Sequence, residues 1–284
     1  MKKVLITGAN GFLGKHLQKE LASRYSIIAT NRHSENELFY LDLLDKRSVE
    51  CFLRNMNKLH IDAIIHTAAR LVDGTMTKDD EMKVLEDNLE ITKNTIKLAN
   101  QLKCDTFINC SSMAVYPNED GVYNEKSEIR MSCNTDCLYG LSKFCAENMF
   151  DYGIQSECRI IHLRLAQIYG DGLREDRIIP VMKQGILDKN VIEVFGNGER
   201  VSSFVSIEFV CKIIKNMLEN KNAKGIYNVG EENLSYKQLA ERVKKKYGNE
   251  NTVIKMYEQG SRKRFFLDTQ KICSFCQQDN SLEE

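Results

Sequence analysis

The chain has 284 residues, in which Lys plus Arg and Asp plus Glu balance at 40 each. That length buries a large core, as one domain or two closely joined ones. The charge balance leaves no basic surplus for nucleic acid and no acidic tail. No stretch approaches the ~18 apolar residues of a membrane span, and the start Met1-Lys2-Lys3-Val4 lacks the apolar segment of a secretory signal. A cytoplasmic protein without nucleic-acid or membrane partners is expected. The ten cysteines lie mostly inside apolar patterns (Cys51, Cys104, Cys110, Cys145, Cys211), and Cys133-x-x-x-Cys137 and Cys273-x-x-Cys276 are isolated pairs. Reduced thiols and no metal site are expected.

The first element, Val4-Leu5-Ile6, reads as a strand. It enters Thr7-Gly8-Ala9-Asn10-Gly11-Phe12-Leu13-Gly14 and then a helical pattern carried by Phe12, Leu13, Leu17 and Leu21. A helix N-terminus offers unpaired N–H groups and the positive end of the dipole, which suits a diphosphate. Gly8 takes the tight turn, Gly11 admits a phosphate to the backbone, and Gly14 lets the helix lie close to the strand. The spacing is G-x-x-G-x-x-G rather than G-x-G-x-x-G, so a tight turn without a ligand remains the alternative. Ile27-Ile28-Ala29-Thr30 is a second strand. Beyond it stand Asn31-Arg32-His33, where an acid that binds the ribose of NAD is expected roughly 20 residues past the glycines. With no carboxylate there, Arg32 can pair with a 2′-phosphate, which favours NADP(H) over NAD(H). An exposed turn arginine is the competing account.

Leu38-Phe39-Tyr40 reads as a short third strand, and Asp45 caps a helix to about Lys58. Ala63-Ile64-Ile65-His66 is a strand followed by the small residues Thr67-Ala68-Ala69, with His66 a packed turn residue. Glu81 to Gln101 is a long helix with Asn88, Thr92 and Thr95 on one face. Thr106 to Cys110 is a buried strand ending in Ser111-Ser112, and ligands of doubly wound sheets bind beyond such carboxyl ends. Pro117 to Asp136 is polar and irregular, suited to a lid. Tyr139-Gly140-Leu141-Ser142-Lys143 opens a helix, and of the eleven tyrosines Tyr139 alone has a Lys four residues on. An ammonium on the same helix face favours the phenolate. Arg159 to Leu165 is the sixth strand. Later segments read as a helix from Ile178 to about Leu187, strands at Val191–Phe195, Phe204–Ile207 and Ile226–Gly230, and helices at Glu208–Leu218 and Leu234–Tyr247. Lys244-Lys245-Lys246 is the solvated face of the last of these.

The T-G-x-x-G-x-x-G opening, Ser111-Ser112-x-x-Val115-Tyr116, Tyr139-x-x-x-Lys143, Tyr169-Gly170 and Tyr227-Asn228-Val229-Gly230 together resemble the extended short-chain dehydrogenase/reductase family, in its sugar-nucleotide epimerase and dehydratase group. The likeness spans roughly residues 3 to 272. It implies an α/β doubly wound parallel sheet, a Rossmann fold, with a small C-terminal substrate-binding cap. Residues 1–170 plus about 200–230 would form the dinucleotide domain, and about 171–199 plus 231–284 the cap. Cofactor contacts fall on Gly8, Asn10, Gly11, Phe12, Leu13, Gly14, Asn31, Arg32, Asp42, Leu43, Ala68, Ala69 and Asn88, with Tyr139 and Lys143. For Asn88 a tie between helix and strands is equally open. Ser112, Tyr139 and Lys143 become the catalytic set, and Ser112, Met113, Gln167 and Arg200 face the substrate. Gln167 replaces the usual Asn, and Ser202-Ser203-Phe204 replaces an Arg-Asp-Phe run, so Arg200 is the stand-in for the missing diphosphate-binding Arg.

The resemblance implies hydride transfer between a nicotinamide and a sugar carbon. Dehydratases of the group carry Asp-Glu immediately after the catalytic hydroxyl residue, where this chain has Met113-Ala114. An epimerase or a 4-keto-reductase acting on a nucleotide sugar, as a homodimer, is therefore expected. The alternative from another class is a non-catalytic dinucleotide sensor, which has no need of the Ser112–Tyr139–Lys143 set.

Overall fold

The computed structural model describes residues 1–33, 39–56, 59–72, 75–130, 136–155 and 157–280. In chain order the elements are β1 (Lys3–Thr7), α1 (Phe12–Leu21), β2 (Ser26–Thr30), α2 (Lys46–Met56), β3 (Ala63–His66), α3 (Lys78–Leu102), β4 (Thr106–Ser112), β5 (Gly121–Tyr123), α4 (Cys137–Gly153), β6 (Arg159–Leu165), β7 (Gln167–Tyr169), α5 (Ile178–Lys189), β8 (Val191–Phe195), β9 (Val201–Ser206), α6 (Ile207–Glu219), β10 (Gly225–Val229), β11 (Glu232–Ser235), α7 (Tyr236–Tyr247), β12 (Val253–Tyr257), β13 (Phe265–Leu267) and α8 (Gln270–Asn280). No helix of the described residues is long and apolar enough to cross a membrane.

Among the described residues, six strands form the central sheet in the order β10-β6-β4-β3-β1-β2. Every pairing in it is parallel. A parallel sheet is covered on both faces, so its strands read as continuous apolar runs. Alternation still sorts the side chains. Val4 and Ile6 of β1 join a core with Leu17 and Leu21 of α1 and Val210, Ile213 and Ile214 of α6. Leu5 joins the opposite core, with Val49 and Phe52 of α2, Leu98 of α3 and Phe150 of α4. A third core lies away from the sheet, where Met182 and Ile186 of α5 meet Ile192 and Val194 of β8 and Leu239, Ala240 and Val243 of α7.

Two expectations are corrected here. The third strand at 38–40 is reduced to a single bridge between Asn31 and Tyr40, and Leu38 lies outside the described residues. The sixth place in the sheet goes instead to β10, which returns from far along the chain to pair with β6. The segment from Pro117 to Asp136 is not wholly irregular. Its β5 pairs with β13, in register Phe265 to Gly121, and Tyr123 stacks on Phe265 at 4.9 Å. Lys58 and Cys133, invoked above, lie outside the described residues.

Candidate active site

The chain order of the sheet reverses at β1, with β2 on one side and β3 on the other. Open α/β sheets bind ligands in the crevice at such a switch point, beyond the carboxyl ends of the strands. A cleft of about 990 Å³ opens there, and it is lined by Gly8, Asn10, Gly11, Phe12, Leu13 and Gly14 at one end and Arg200, Ser202 and Tyr236 at the other.

The three glycines have different physical reasons. Gly8 has φ +70°, and a Cβ there would lie 2.8 Å from the backbone of Ala68. A Cβ on Gly14 would lie 2.5 Å from the Gly8 carbonyl. Both glycines close the turn onto its own chain. Gly11 has φ −69°, open to any residue, and the one atom near its missing Cβ is the Gly8 carbonyl at 3.2 Å. It is the glycine whose bareness clears the cleft. No side chain caps α1 and no acid stands in its first turn, so its dipole end can hold an anion.

At the far side of the turn, the Asn31 side chain accepts from the His33 N–H at 2.8 Å, and exposed Arg32 lines the mouth of the cleft. Asp42 accepts from the Leu44 N–H at 2.9 Å through one carboxylate oxygen, and it lines the cleft beside Leu43, Ala68 and Ala69. These residues can hold a dinucleotide. Asn88 stands outside the lining. Its Oδ1 accepts from the Arg70 N–H at 2.7 Å, and its Nδ2 donates to the Arg70 carbonyl and to Ser142 Oγ, each at 3.0 Å. It ties the strand-end loop to α3 and α4. His66 is likewise a core residue, 3 % exposed, hydrogen-bonded to Thr7 Oγ1 at 2.8 Å. Burial, then the Lys143 charge, pushes its imidazole down to about 3.

Ser112, at the end of β4, and Tyr139 and Lys143, on the first turns of α4, converge on the cleft between these two ends. Ser112 Oγ accepts from the Ala114 N–H at 3.1 Å, and the Ser112 hydroxyl acts to lower the Tyr139 phenol. Burial pushes the Tyr139 phenol up to about 12, against the pull of the Arg177 charge and the Ser112 hydrogen bond. This corrects the expectation that Lys143 brings the phenol down. Lys143 Nζ lies 5.9 Å from the ring centroid and donates to the Cys110 carbonyl at 2.9 Å. Burial pushes its own ammonium down to about 8.

On the substrate side, Met113 lines the cleft, and Gln167 donates to Ser202 Oγ at 2.7 Å. Arg200 lies over the Tyr236 ring at 5.1 Å. Sequence reasoning missed Arg174 and Arg177, which also line the cleft. They fall in the charged stretch before α5, where no periodicity marks them. A buried network supports the floor. Glu147 accepts from Ser111 Oγ at 2.5 Å and from Arg164 Nη2 at 2.7 Å, and Arg164 donates to the Tyr116 hydroxyl at 2.8 Å.

With that geometry in place, the NAD dependent epimerase/dehydratase family profile matches residues 4–230. The chain belongs to this family. That membership agrees with the resemblance carried by the motifs. The curated relatives include a dTDP-D-glucose 4,6-dehydratase of Dictyostelium discoideum, 25% identical over 263 residues, covering 81% of this chain and 58% of that protein. The chain thus spans less than two thirds of that relative's length. An ADP-L-glycero-D-manno-heptose-6-epimerase of Cupriavidus pinatubonensis is 27% identical over 252 residues, covering 80% of this chain and 72% of that protein. Among solved structures, a UDP-glucuronic acid 4-epimerase of Bacillus cereus, in complex with UDP-glucuronic acid and NAD, superposes with a TM-score of 0.77 at 23% identity, covering 97% of this chain and 93% of that one. That likeness carries the doubly wound fold.

Proposed function

We propose that this family member is an NAD(P)-dependent epimerase or 4-keto-reductase acting on a nucleotide sugar. The observation that supports this most is the convergence of Ser112, Tyr139 and Lys143 in a cleft whose other wall is the glycine turn. The nicotinamide, when bound, supplies hydride transfer. Tyr139 then moves the proton of the reacting hydroxyl, Ser112 orients its oxygen, and Lys143 stands beneath as the charge. Gly8, Gly11 and Gly14 with Asn10, Phe12 and Leu13 hold the diphosphate, Arg32 and Asn31 the adenosine ribose, and Asp42, Leu43, Ala68 and Ala69 the adenine side. Met113 and Gln167 face the sugar, and Arg200 replaces the cation absent at position 202. Residues 1–170 plus about 200–230 serve the cofactor, and about 171–199 plus 231–284 the substrate. Met113-Ala114 place no carboxylate next to Ser112, which favours these reactions over water elimination.

The test is a panel of nucleotide sugars, 4-keto forms among them, supplied with NADH or NADPH in one arm and with NAD+ or NADP+ in the other. Oxidation of the reduced nicotinamide marks a reductase, and stereochemical inversion with the nicotinamide pool unchanged marks an epimerase. Neither reaction on any member would sink the reading.

Two variants probe the cofactor side. Gly11→Val should abolish dinucleotide binding while the protein keeps its circular-dichroism spectrum, because its φ suits valine and the new methyls project into the cleft. Undiminished affinity in titration calorimetry would remove the phosphate from this turn. NADPH should bind more tightly than NADH. A charged hydrogen bond to the 2′-phosphate contributes about 1.5–3 kcal/mol, about ten- to hundredfold. Arg32→Ala should erase most of the difference, and salt should weaken it because Arg32 is exposed. Equal wild-type affinities, or a preference surviving Arg32→Ala, would return Arg32 to the surface.

A further inference from the structure

At the amino ends of β4 and β6, away from the cleft, two thiols meet. Cys104 follows Lys103, the C-cap of α3, whose φ of +49° turns the chain sharply into β4. Cys158 directly precedes β6. The two strands are parallel neighbours with Thr106 beside Arg159, and the Arg159 N–H donates to the Asp105 carbonyl at 2.9 Å. The helices leading in are joined as well. Asn100 Nδ2 donates to the Gly153 carbonyl at 2.8 Å, and its Oδ1 accepts from the Gln155 N–H at 2.9 Å. On this shared frame the two Sγ atoms lie 3.7 Å apart.

A disulfide needs about 2.03–2.05 Å between sulfurs and Cα atoms about 4.4–6.8 Å apart. Cys104 and Cys158 lie two and one residues before the paired Thr106 and Arg159, whose strands run about 4.7–4.9 Å apart. The approach asks for side-chain rotation rather than movement of the sheet. We propose that Cys104 and Cys158 are a modification site, an oxidisable pair that a small-molecule disulfide such as glutathione disulfide converts to a reversible intrachain disulfide.

The chemistry follows from the surroundings. Cys104 is buried at 4 % exposure, whereas Cys158 is partly exposed. The hydrogen bond between them raises the Cys104 thiol and lowers the Cys158 thiol below its ordinary value, and burial adds to the rise at Cys104. The thiolate is the nucleophile. Cys158 therefore attacks glutathione disulfide, releasing one glutathione and forming a mixed disulfide. Cys104 then gives up its proton and attacks Cys158 Sγ, releasing the second glutathione. Two protein thiols are oxidised, and one glutathione disulfide is reduced to two thiols. The bridge closes a loop of the chain that contains Ser112, Tyr139 and Lys143.

The test uses the intact protein and does not depend on its activity. After incubation with glutathione disulfide, free thiols are blocked under denaturing conditions and the chain is digested without reductant. The expected result is a loss of two thiols from the ten of the reduced chain, one peptide joining Cys104 to Cys158, and its disappearance with dithiothreitol. Tm should rise by about 5–10 °C, from the restricted unfolded chain. Cys158→Ser should abolish both changes, and Cys104→Ser should stop at a glutathione adduct on Cys158. Either site still fully alkylated in the wild type, or a wild-type Cys158 adduct that never closes, overturns the proposal. The wild-type peptide map decides the matter even where a variant fails to fold.

Discussion

Tyr139→Phe is expected to lower turnover by about 10²–10⁴-fold, the contribution of a positioned acid–base group, while the affinity for nicotinamide cofactor stays within a few-fold. The variant removes one oxygen. That oxygen is the group whose proton Ser112 and the Arg177 charge act to loosen. Burial above all holds the phenol up to about 12 even with the Arg177 charge nearby, so at neutral pH it keeps its proton and serves as a proton carrier. The measurement is a steady-state assay on whichever nucleotide sugar the panel identifies, with cofactor binding followed separately. Activity within about threefold of wild type, far short of the effect of a lost proton carrier, would take Tyr139 out of the mechanism.

Glu147→Ala should be the most destabilising single change beside the site. Glu147 and Arg164 are each 2 % exposed, and their hydrogen bonds at 2.7, 3.0 and 3.3 Å fill one side of the guanidinium. Removing one partner of a buried pair leaves an uncompensated charge and costs about 3–5 kcal/mol, a large part of an ordinary folding free energy. Urea unfolding should show that loss as a lower midpoint. Replacing both partners, with Glu147→Leu and Arg164→Met together, should lose less than Glu147→Ala alone, because no buried charge is then stranded. If Glu147→Ala lost under about 1 kcal/mol, well short of a stranded charge, the guanidinium would have to reach water in the folded protein.

The parts of this protein legible in its sequence are those specified by near neighbours in the chain. The glycine turn, the apolar run before it and the Tyr139–Lys143 spacing are each local, and the turn and the Tyr139–Lys143 pair reach the cleft. Helix starts were displaced where capping decides them. The Thr77–Asp80 and Ser235–Gln238 capping boxes begin α3 at Lys78 and α7 at Tyr236, rather than at the first apolar-periodic residues. What was not legible depends on partners far along the chain. Ile226 to Gly230 reads as a strand, and the resemblance puts it with the dinucleotide domain, but its place at the edge of the central sheet comes from pairing with β6. Asn88 has its role from Arg70 and Ser142. Lys143 is turned toward the Cys110 carbonyl, a direction that four-residue spacing does not encode. Arg177 meets Tyr139 only through folding of the segment before α5.

The return of β10 to the edge of β6 also bears on how the chain is made. Residues 166–224 separate the two strands. At a synthesis rate of roughly 5–20 residues per second, β6 leaves the ribosome about 3–12 s ahead of its partner. During that interval the nascent sheet carries an open hydrogen-bonding edge beside the apolar Ile160, Ile161 and Leu163, the kind of edge that invites pairing with another chain. Slow translation between codons 166 and 224 would lengthen that exposure. Recombinant yield should therefore respond to codon choice across this interval more than across one of equal length after residue 229.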